Sequence, residues 1–179
     1  MKKIALALAA LTMSAAAAPA LAQDSADFSG PSATVITGYD VVDLNTPGVK
    51  NPDGVIYGIG LGYDIQKGSA VFGIEGEVAG STSKLKAGGA TLASTDRDLY
   101  VGGRIGFATG KALIYAKAGY SNARFRTIAG NGNADGVRVG AGIEYKLSDG
   151  IFGKVEYRYS NYEADIERQQ VVAGLGVRF

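Results

Sequence analysis

The chain has 179 residues, enough for one domain, and its 18 basic and 17 acidic residues leave a net charge of +1. That balance argues against a nucleic-acid-binding protein, which normally shows a strongly basic surface. Cysteine and histidine are absent, which excludes disulfides, zinc–thiolate sites and cysteine nucleophiles, while glycine, at 27 residues, is about twice as frequent as usual.

The first 22 residues have the pattern of a secretory signal peptide. Lys2 and Lys3 precede an uncharged, alanine-rich run, which is followed by Pro19 and by a small-x-small ending, Ala20, Leu21 and Ala22. A membrane-anchor helix is the alternative, but the apolar run is short for a membrane span. We therefore expect cleavage after Ala22, with residues 1–22 as the signal peptide and 23–179 as one mature domain.

Eight segments of the mature part have the alternation of β-strands. They cover residues 32–42, 55–64, 70–79, 97–107, 112–123, 136–147, 151–161 and 170–179. Long polar connections follow the odd-numbered segments (43–54, 80–96, 124–135 and 162–169), and tight turns follow the second, fourth and sixth (65–69, 108–111 and 148–150). Long outer loops and short periplasmic turns are typical of an outer-membrane barrel with both termini on the periplasmic side.

One face of every predicted strand is free of charge. It runs from Val35, Thr37, Tyr39 and Val41 in the first strand to Val171, Ala173, Leu175, Val177 and Phe179 in the last. A basic residue facing lipid near the midplane of the membrane costs about 2–4 kcal/mol, so lipid exposure demands such a face. No later segment is long and apolar enough for a transmembrane helix, which leaves a closed barrel as the way to cross a membrane.

The opposite face carries balanced charge and many glycines. Its acidic residues are Asp40, Asp64, Glu75, Glu77, Asp98, Glu144 and Glu156, and its basic residues are Arg104, Lys117, Arg138, Lys146, Lys154, Arg158 and Arg178. An eight-stranded barrel is only just wide enough for its own side chains, so we expect a filled interior of paired charges, with the glycines making room for them. A soluble eight-stranded calyx would need the reverse pattern, apolar inside and polar outside.

Aromatic residues concentrate near the two ends of the predicted strands. Tyr63, Phe72, Phe107, Tyr145 and Phe179 fall at the periplasmic ends, and Tyr39, Tyr57, Tyr120, Tyr157 and Tyr159 fall toward the outer ends. Amphipathic rings favour the two membrane–water boundaries, so these positions predict two girdles.

The strand Val55–Tyr63, Val-Ile-Tyr-Gly-Ile-Gly-Leu-Gly-Tyr, and the closing Gly-Leu-Gly-Val-Arg-Phe resemble the small outer membrane protein beta-barrel domain or porin-family proteins. These are relatives of the OmpA transmembrane domain, OmpX and the opacity proteins. The resemblance implies an all-β, eight-stranded antiparallel barrel in the outer membrane of a Gram-negative bacterium. It also implies that the assembly machinery reads Leu175, Val177 and Phe179 as a sorting signal.

Enzyme chemistry is not expected. Some eight-stranded outer-membrane barrels modify lipids with histidine and either serine or an acid. Without histidine, a nucleophile such as Ser160 would need an unusual base, and Ser160 with nearby Glu163 favours a solvated loop. Glu75 and Glu77 share one strand face as a general acid/base pair would, yet among so many basic partners they favour a structural role. No cofactor or metal is expected.

Three functions remain open from the sequence. A structural or integrity barrel with at most small-solute permeability is favoured, a surface adhesin or ligand-binding barrel acting through its outer loops is the alternative, and a diffusion porin is disfavoured because open pores usually need about sixteen strands. The charges of the last outer loop, which include Glu167 and Arg168, favour a solvated surface. The expected partners are outer-membrane lipid, lipopolysaccharide, periplasmic chaperones and the barrel-assembly machinery, and the barrel is expected to be a monomer.

Overall fold

The computed structural model describes residues 26–43, 53–82, 84–87, 90–127, 130–162 and 166–179. The expected signal peptide and its cleavage site lie outside these residues. Among the described residues, no helix is long and apolar enough to span a membrane.

The described chain is a closed antiparallel barrel of eight strands, as predicted, with one additional short strand. The strands are β1 (Gly30–Asp43), β2 (Asp53–Lys67), β3 (Ala70–Ser81), β4 (Lys84–Ala87), β5 (Ala90–Thr109), β6 (Ala112–Thr127), β7 (Gly130–Ser148), β8 (Ile151–Tyr162) and β9 (Ile166–Arg178). Strands β1–β3 and β5–β9 pair with their chain neighbours, and the β1–β9 and β3–β5 ladders complete the ring. Strand β4 pairs only with the outer part of β5.

Tight turns join the strands at the end of the barrel that is predicted to face the periplasm, the periplasmic end. Each contains a glycine with a positive φ angle: Gly68 (60°), Gly110 (55°) and Gly150 (77°). Glycine adopts this left-handed conformation without the steric cost that a Cβ atom brings. The segment before β1 and the end of β9 lie at this same end of the barrel, because Ala26 donates a backbone hydrogen bond to Gly110 and Arg178 donates one to Gly150.

The outer ends of several strands extend further than the sequence predicts. Strand β5 begins at Ala90 rather than residue 97, β6 continues to Thr127, and β7 begins at Gly130 rather than residue 136. These stretches are rich in glycine, alanine, serine and threonine and lack the apolar alternation of a lipid-facing wall. Backbone pairing between neighbouring strands therefore forms them, as the β5–β6 register from Ala93–Thr127 onward shows.

The wall is apolar outside and polar inside. Outward side chains such as Leu61 and Ile74 are 67% and 69% exposed, whereas inward side chains alternate with them and are buried. Nine of the ten predicted girdle rings are exposed on the outer face, and Tyr159 is half-buried. This arrangement is the reverse of a soluble barrel and matches a wall that faces lipid.

Candidate functional site

The interior of the barrel is the most distinctive chemical environment in the described chain. Because successive side chains of a strand point to opposite faces, the polar residues of all eight barrel strands converge on the lumen. Ion pairs among the described residues join seven carboxylates to seven basic side chains: Asp40, Asp64, Glu75, Glu77, Asp98, Glu144 and Glu156 with Arg104, Lys117, Arg138, Lys154, Arg158, Arg168 and Arg178. The pairs form three layers along the barrel axis.

The periplasmic layer is a ring of two arginines and two acids. Arg104 bonds Asp64 through two guanidinium nitrogens and also reaches Glu144 at 3.3 Å. Arg178 closes the ring, with Nη1 donating to Asp64 at 2.7 Å and Nη2 donating to Glu144 at 2.5 Å. Both acids are fully buried, so each depends on both arginines for its charge compensation.

The middle layer crosses the full width of the lumen. Arg158 on β8 binds both carboxylate oxygens of Glu77 on β3, at 2.5 and 2.7 Å, and also bonds Glu156. Lys117 bridges Glu75 and Glu156 at 2.5 and 2.8 Å. Bidentate arginine–carboxylate contacts have a fixed geometry, so these pairs tie opposite walls together.

The outer layer centres on Asp98. Arg138 and Arg168 both donate to its carboxylate, at 2.6 and 2.7 Å, and Ser121 adds a hydroxyl hydrogen bond at 3.0 Å. Arg168 also binds Asp40 through two nitrogens at 2.7 Å. All these polar groups are buried, and they close the outer end of the lumen.

The periplasmic end is closed differently, by the residues that precede β1. The Phe28 ring is 1% exposed and packs against Val71, Ala108, Leu113 and Tyr115. The Phe28 backbone N–H donates to the Gln66 side chain at 2.8 Å, and the Phe28 carbonyl accepts from Arg178 at 2.6 Å. These contacts hold the ring inside the mouth of the barrel.

Asp27, beside Phe28, shapes the local turn. Its carboxylate accepts a hydrogen bond from the backbone N–H of Ser29 at 2.8 Å, which lowers the pKa of Asp27 below its usual value. A charged carboxylate at this exposed position keeps the turn that directs Phe28 inward.

Inward-facing glycines make room for aromatic rings as well as for charged side chains. A Cβ atom on Gly102 would lie 2.1 Å from the Tyr100 hydroxyl, and one on Gly176 would lie 2.4 Å from the Phe152 ring. The expectation that the glycines serve charged side chains is therefore incomplete. The Tyr100 ring in turn lies 4.5 Å from the Lys117 ammonium, which gives a cation–π contact within the lumen.

The amino-acid sequence from residue 5 to 179 matches the family model described as "Outer membrane protein beta-barrel domain". The chain belongs to this family. The outer-membrane localisation that the strand pattern predicts is thereby confirmed, and relatives with outer-membrane names agree with it.

Two relatives illustrate the range of this beta-barrel family. The 25 kDa outer-membrane immunogenic protein of Brucella ovis is 29% identical over 146 residues, covering 79% of this chain and 72% of that protein. The 22 kDa outer membrane protein of Rhizobium leguminosarum bv. viciae is 27% identical over 143 residues, covering 69% of this chain and 67% of that protein.

Solved structures share the fold of this barrel. Neisserial surface protein A superposes with a TM-score of 0.59 at 19% identity, covering 84% of this chain and 98% of that one. Ail, the attachment invasion locus protein of Yersinia pestis, gives a TM-score of 0.56 at 20% identity, covering 84% and 99%.

The structure brings all nine residues of the expected charge network of this beta-barrel into the lumen. They are Glu75, Glu77, Arg104, Lys117, Arg138, Glu144, Glu156, Arg158 and Arg178. Lys146, also expected inside, is half-buried at the periplasmic mouth, where it lines an open pocket beside Arg178. The three residues of the expected assembly signal, Leu175, Val177 and Phe179, are exposed on the outer wall.

Two interpretations of the outer loops were wrong. Arg168 is 1% exposed rather than solvated, because β9 starts at Ile166 and the alternation that buries Gln170 also turns Arg168 inward. Ser160 is fully buried and accepts a hydrogen bond from Arg138 at 2.9 Å, so it belongs to the lumen rather than to a loop. The alternation of Arg168, Gln170 and Val172 indicates this inward direction only when the strand is extended back to Ile166.

Proposed function

We propose that the protein is a closed structural barrel that contributes to outer-membrane integrity and admits small solutes at most. The observation that carries this proposal is the filled lumen, in which charged side chains from opposite walls meet directly. A cavity between Thr34, Glu75 and Lys154 measures about 10 Å³. A single water needs about 10–15 Å³, so this part of the lumen holds no continuous water column.

The chemistry of the lumen supports a structural rather than an enzymatic role. Glu75 and Glu77, which share a strand face as an acid/base pair would, are both held by basic side chains, Lys117 and Arg158. Ser160 accepts from Arg138, whose guanidinium carries no acceptor and cannot take a proton from the hydroxyl. The polar groups therefore satisfy one another instead of pointing at an open substrate site.

Single-channel recording in planar bilayers tests the closed lumen. The parent barrel is expected to give no regular conductance steps, under conditions in which a sixteen-stranded porin gives large ones. A double variant, Glu77→Ser with Arg158→Ser, removes both partners of the central pair and should produce small steps, which shows that the assay detects an opened barrel. Porin-sized steps from the parent would overturn the proposal.

A surface-binding role is the second candidate, and the extended outer sheet supports it. Strand β5 pairs with β3 only as far as the Ala79–Asp98 position, so its outer residues lie beyond the closed ring. They pair instead with β4 and β6, which builds a sheet that projects from the barrel. The immunogenic relative from Brucella ovis supports exposure of such a surface to the exterior.

Deletion of residues 83–95 tests this second candidate without cutting the closed barrel. Cells displaying the shortened protein are compared with cells displaying the parent for attachment to cultured host cells, at equal surface amounts. Loss of attachment supports the surface-binding role, and equal attachment excludes the projecting hairpin as its source.

We also propose that Leu175, Val177 and Phe179 form the segment that the assembly machinery recognises. All three face outward, with Phe179 79% exposed, so they are accessible on the wall rather than committed to the lumen. The test of this proposal is the Phe179 variant described in the Discussion.

A further inference from the structure

Two arginines lie directly opposite each other on the outer face of the wall. The β5–β6 register pairs Arg97 with Arg124, and the next pair toward the membrane on the same face is Leu99 with Asn122. Asp98 faces the lumen, so its neighbour Arg97 faces outward. Like charges directly opposite each other in a sheet are destabilising, so this pair needs an explanation.

Among the residues whose side chains the structure describes, this arginine pair has no acidic partner. Arg124 donates to the neutral Asn133 side chain at 3.2 Å, and Arg97 Nε is buried without a hydrogen-bond partner. The nearest acid on the neighbouring strand, Asp135, accepts hydrogen bonds from Tyr120 at 2.5 Å and from Asn122 at 2.6 Å. The two guanidinium groups therefore form no ion pair with any of the described side chains.

An apolar groove begins directly below the arginine pair. It has a volume of about 600 Å³. Leu99 and Asn122, the pair directly below the arginines on this face, line its upper end. Its walls include Ile59, Leu61, Val78, Val101 and Tyr120. Gly76 lies in its floor, where an added Cβ atom would have no heavy atom closer than 3.8 Å.

We propose that Arg97, Arg124 and this groove bind a phosphorylated lipid of the outer leaflet. The phosphate would lie between the two guanidinium groups, which match its oxygens through paired N–H donors, and one acyl chain would lie in the groove. The depth on the wall supports this occupant: Tyr120 marks the membrane boundary, the arginines lie two rows above it, and the groove runs into the lipid-facing band. A phosphate dianion also neutralises a cationic pair that the described side chains leave uncompensated.

Lipid retention measured by native mass spectrometry tests the arginines. The parent barrel in a neutral detergent is titrated with bisphosphorylated lipid A and with chemically dephosphorylated lipid A. The double variant Arg97→Gln with Arg124→Gln should lose affinity for the phosphorylated lipid by at least about tenfold. Its heat resistance without lipid should equal or exceed that of the parent, because a like-charge contact is removed. The matched control, Lys67→Gln with Lys111→Gln, changes the same net charge at exposed periplasmic turns and should retain parental affinity.

A second pair of variants tests the groove. Gly76→Leu fills the groove while leaving both arginines in place, and it should weaken binding of the phosphorylated lipid. Gly153→Leu places the same side chain on the outer face of β8, away from the groove, and should have no effect. Neither glycine has a positive φ angle, so leucine fits the backbone at both positions.

The outcomes separate a lipid site from its alternatives. Equal retention of both lipid A forms, or parental affinity in the arginine double variant, overturns the proposal. Inorganic phosphate that competes fully with the lipid indicates a soluble-anion site instead, and self-association lost in Gly76→Leu indicates a second copy of the chain in the groove. The proposal needs only the outer-membrane location, so its failure leaves the closed-lumen proposal intact.

Discussion

The two ends of the lumen are closed by opposite means. At the outer end, Asp40, Asp98, Arg138 and Arg168 form a buried ion network whose members all belong to barrel strands. At the periplasmic end, the Phe28 ring fills the mouth from a segment that precedes the first strand. The outer closure is therefore polar and formed by residues of the barrel strands. The periplasmic closure is apolar and formed by a residue outside the strands.

This difference sets how each closure responds to damage. When one member of a buried ion network is removed, its partner stays buried with an uncompensated charge. A single substitution therefore lowers the free energy of unfolding strongly. Truncation of a ring in an apolar cluster removes contact area only. The short segment that carries the Phe28 ring can also detach without breaking the hydrogen bonds between barrel strands. We therefore expect the outer end to be the more fragile under substitution.

The largest effect is expected for Arg138→Leu, because Asp98 and Glu77 lose a buried partner. The free energy of unfolding in detergent, measured by urea titration, should fall by about 3–5 kcal/mol. Arg97→Leu is the matched control, since Arg97 lies on the outer face of a neighbouring part of the wall, and it should change stability by about 0.5 kcal/mol or less. Equal stability of the two variants would mean that Arg138 is solvated and that the lumen is wider than the ion pairs indicate.

A smaller loss is expected for Phe28→Ala, at about 3 kcal/mol in the same titration, the lower end of the cost for a buried phenylalanine. The detachable segment limits the loss. The exposed neighbour provides the control, since Asp27→Ala should cost about 1 kcal/mol at most. If Phe28→Ala destabilises as much as Arg138→Leu, the apolar closure is as integral to the barrel as the polar one.

Tyr162→Phe sharpens the account of the outer network by removing a single hydroxyl. This hydroxyl lies 3.0 Å from Ser121 Oγ and accepts from Arg138 at 3.2 Å. The expected loss is about 1–2 kcal/mol, the cost of an unmade buried hydrogen bond. A double-mutant cycle with Ser121→Ala measures their coupling, and strict additivity would show that the two hydroxyls do not act within one network.

The smallest effect on stability is expected for Phe179→Ala, which lies at the same end as Phe28 but on the outside of the wall. Its exposed ring adds one boundary contact, so refolded protein should remain within about 0.5 kcal/mol of the parent. The amount inserted in cells should fall clearly, if the assembly machinery reads this position. Parental insertion would remove the sorting role, and a loss of stability as large as that of Phe28→Ala would make Phe179 a packing residue.

The closed barrel was predictable because the same pattern recurs along each strand: charged residues occur on the inner face and none on the outer face. Glu75, Arg104 and Arg158 followed from that alternation alone. Arg168 did not, because the segment around it is short and polar on both faces, and its inward direction depends on where β9 begins. The β4 strand and the outer part of β5 escaped prediction because pairing between backbones, rather than an apolar pattern, forms them.

The Phe28 closure was also missed, for a different physical reason. A single aromatic residue outside any strand has no periodic partner in the sequence. Its burial depends on Val71 and Leu113, which come from separate strands and meet only when the ring of strands closes. Contacts of this kind are set by the three-dimensional arrangement and leave no local pattern.

The equal numbers of acidic and basic groups in the lumen have an electrical consequence. A membrane voltage performs about 2.3 kcal/mol of work per 100 mV on each elementary charge that moves through the whole field. In this barrel each buried carboxylate is tied to a basic side chain, and a pair displaced together carries no net charge through the field. Pairs that move together therefore supply no gating charge, and a potential across the outer membrane exerts no net force on them.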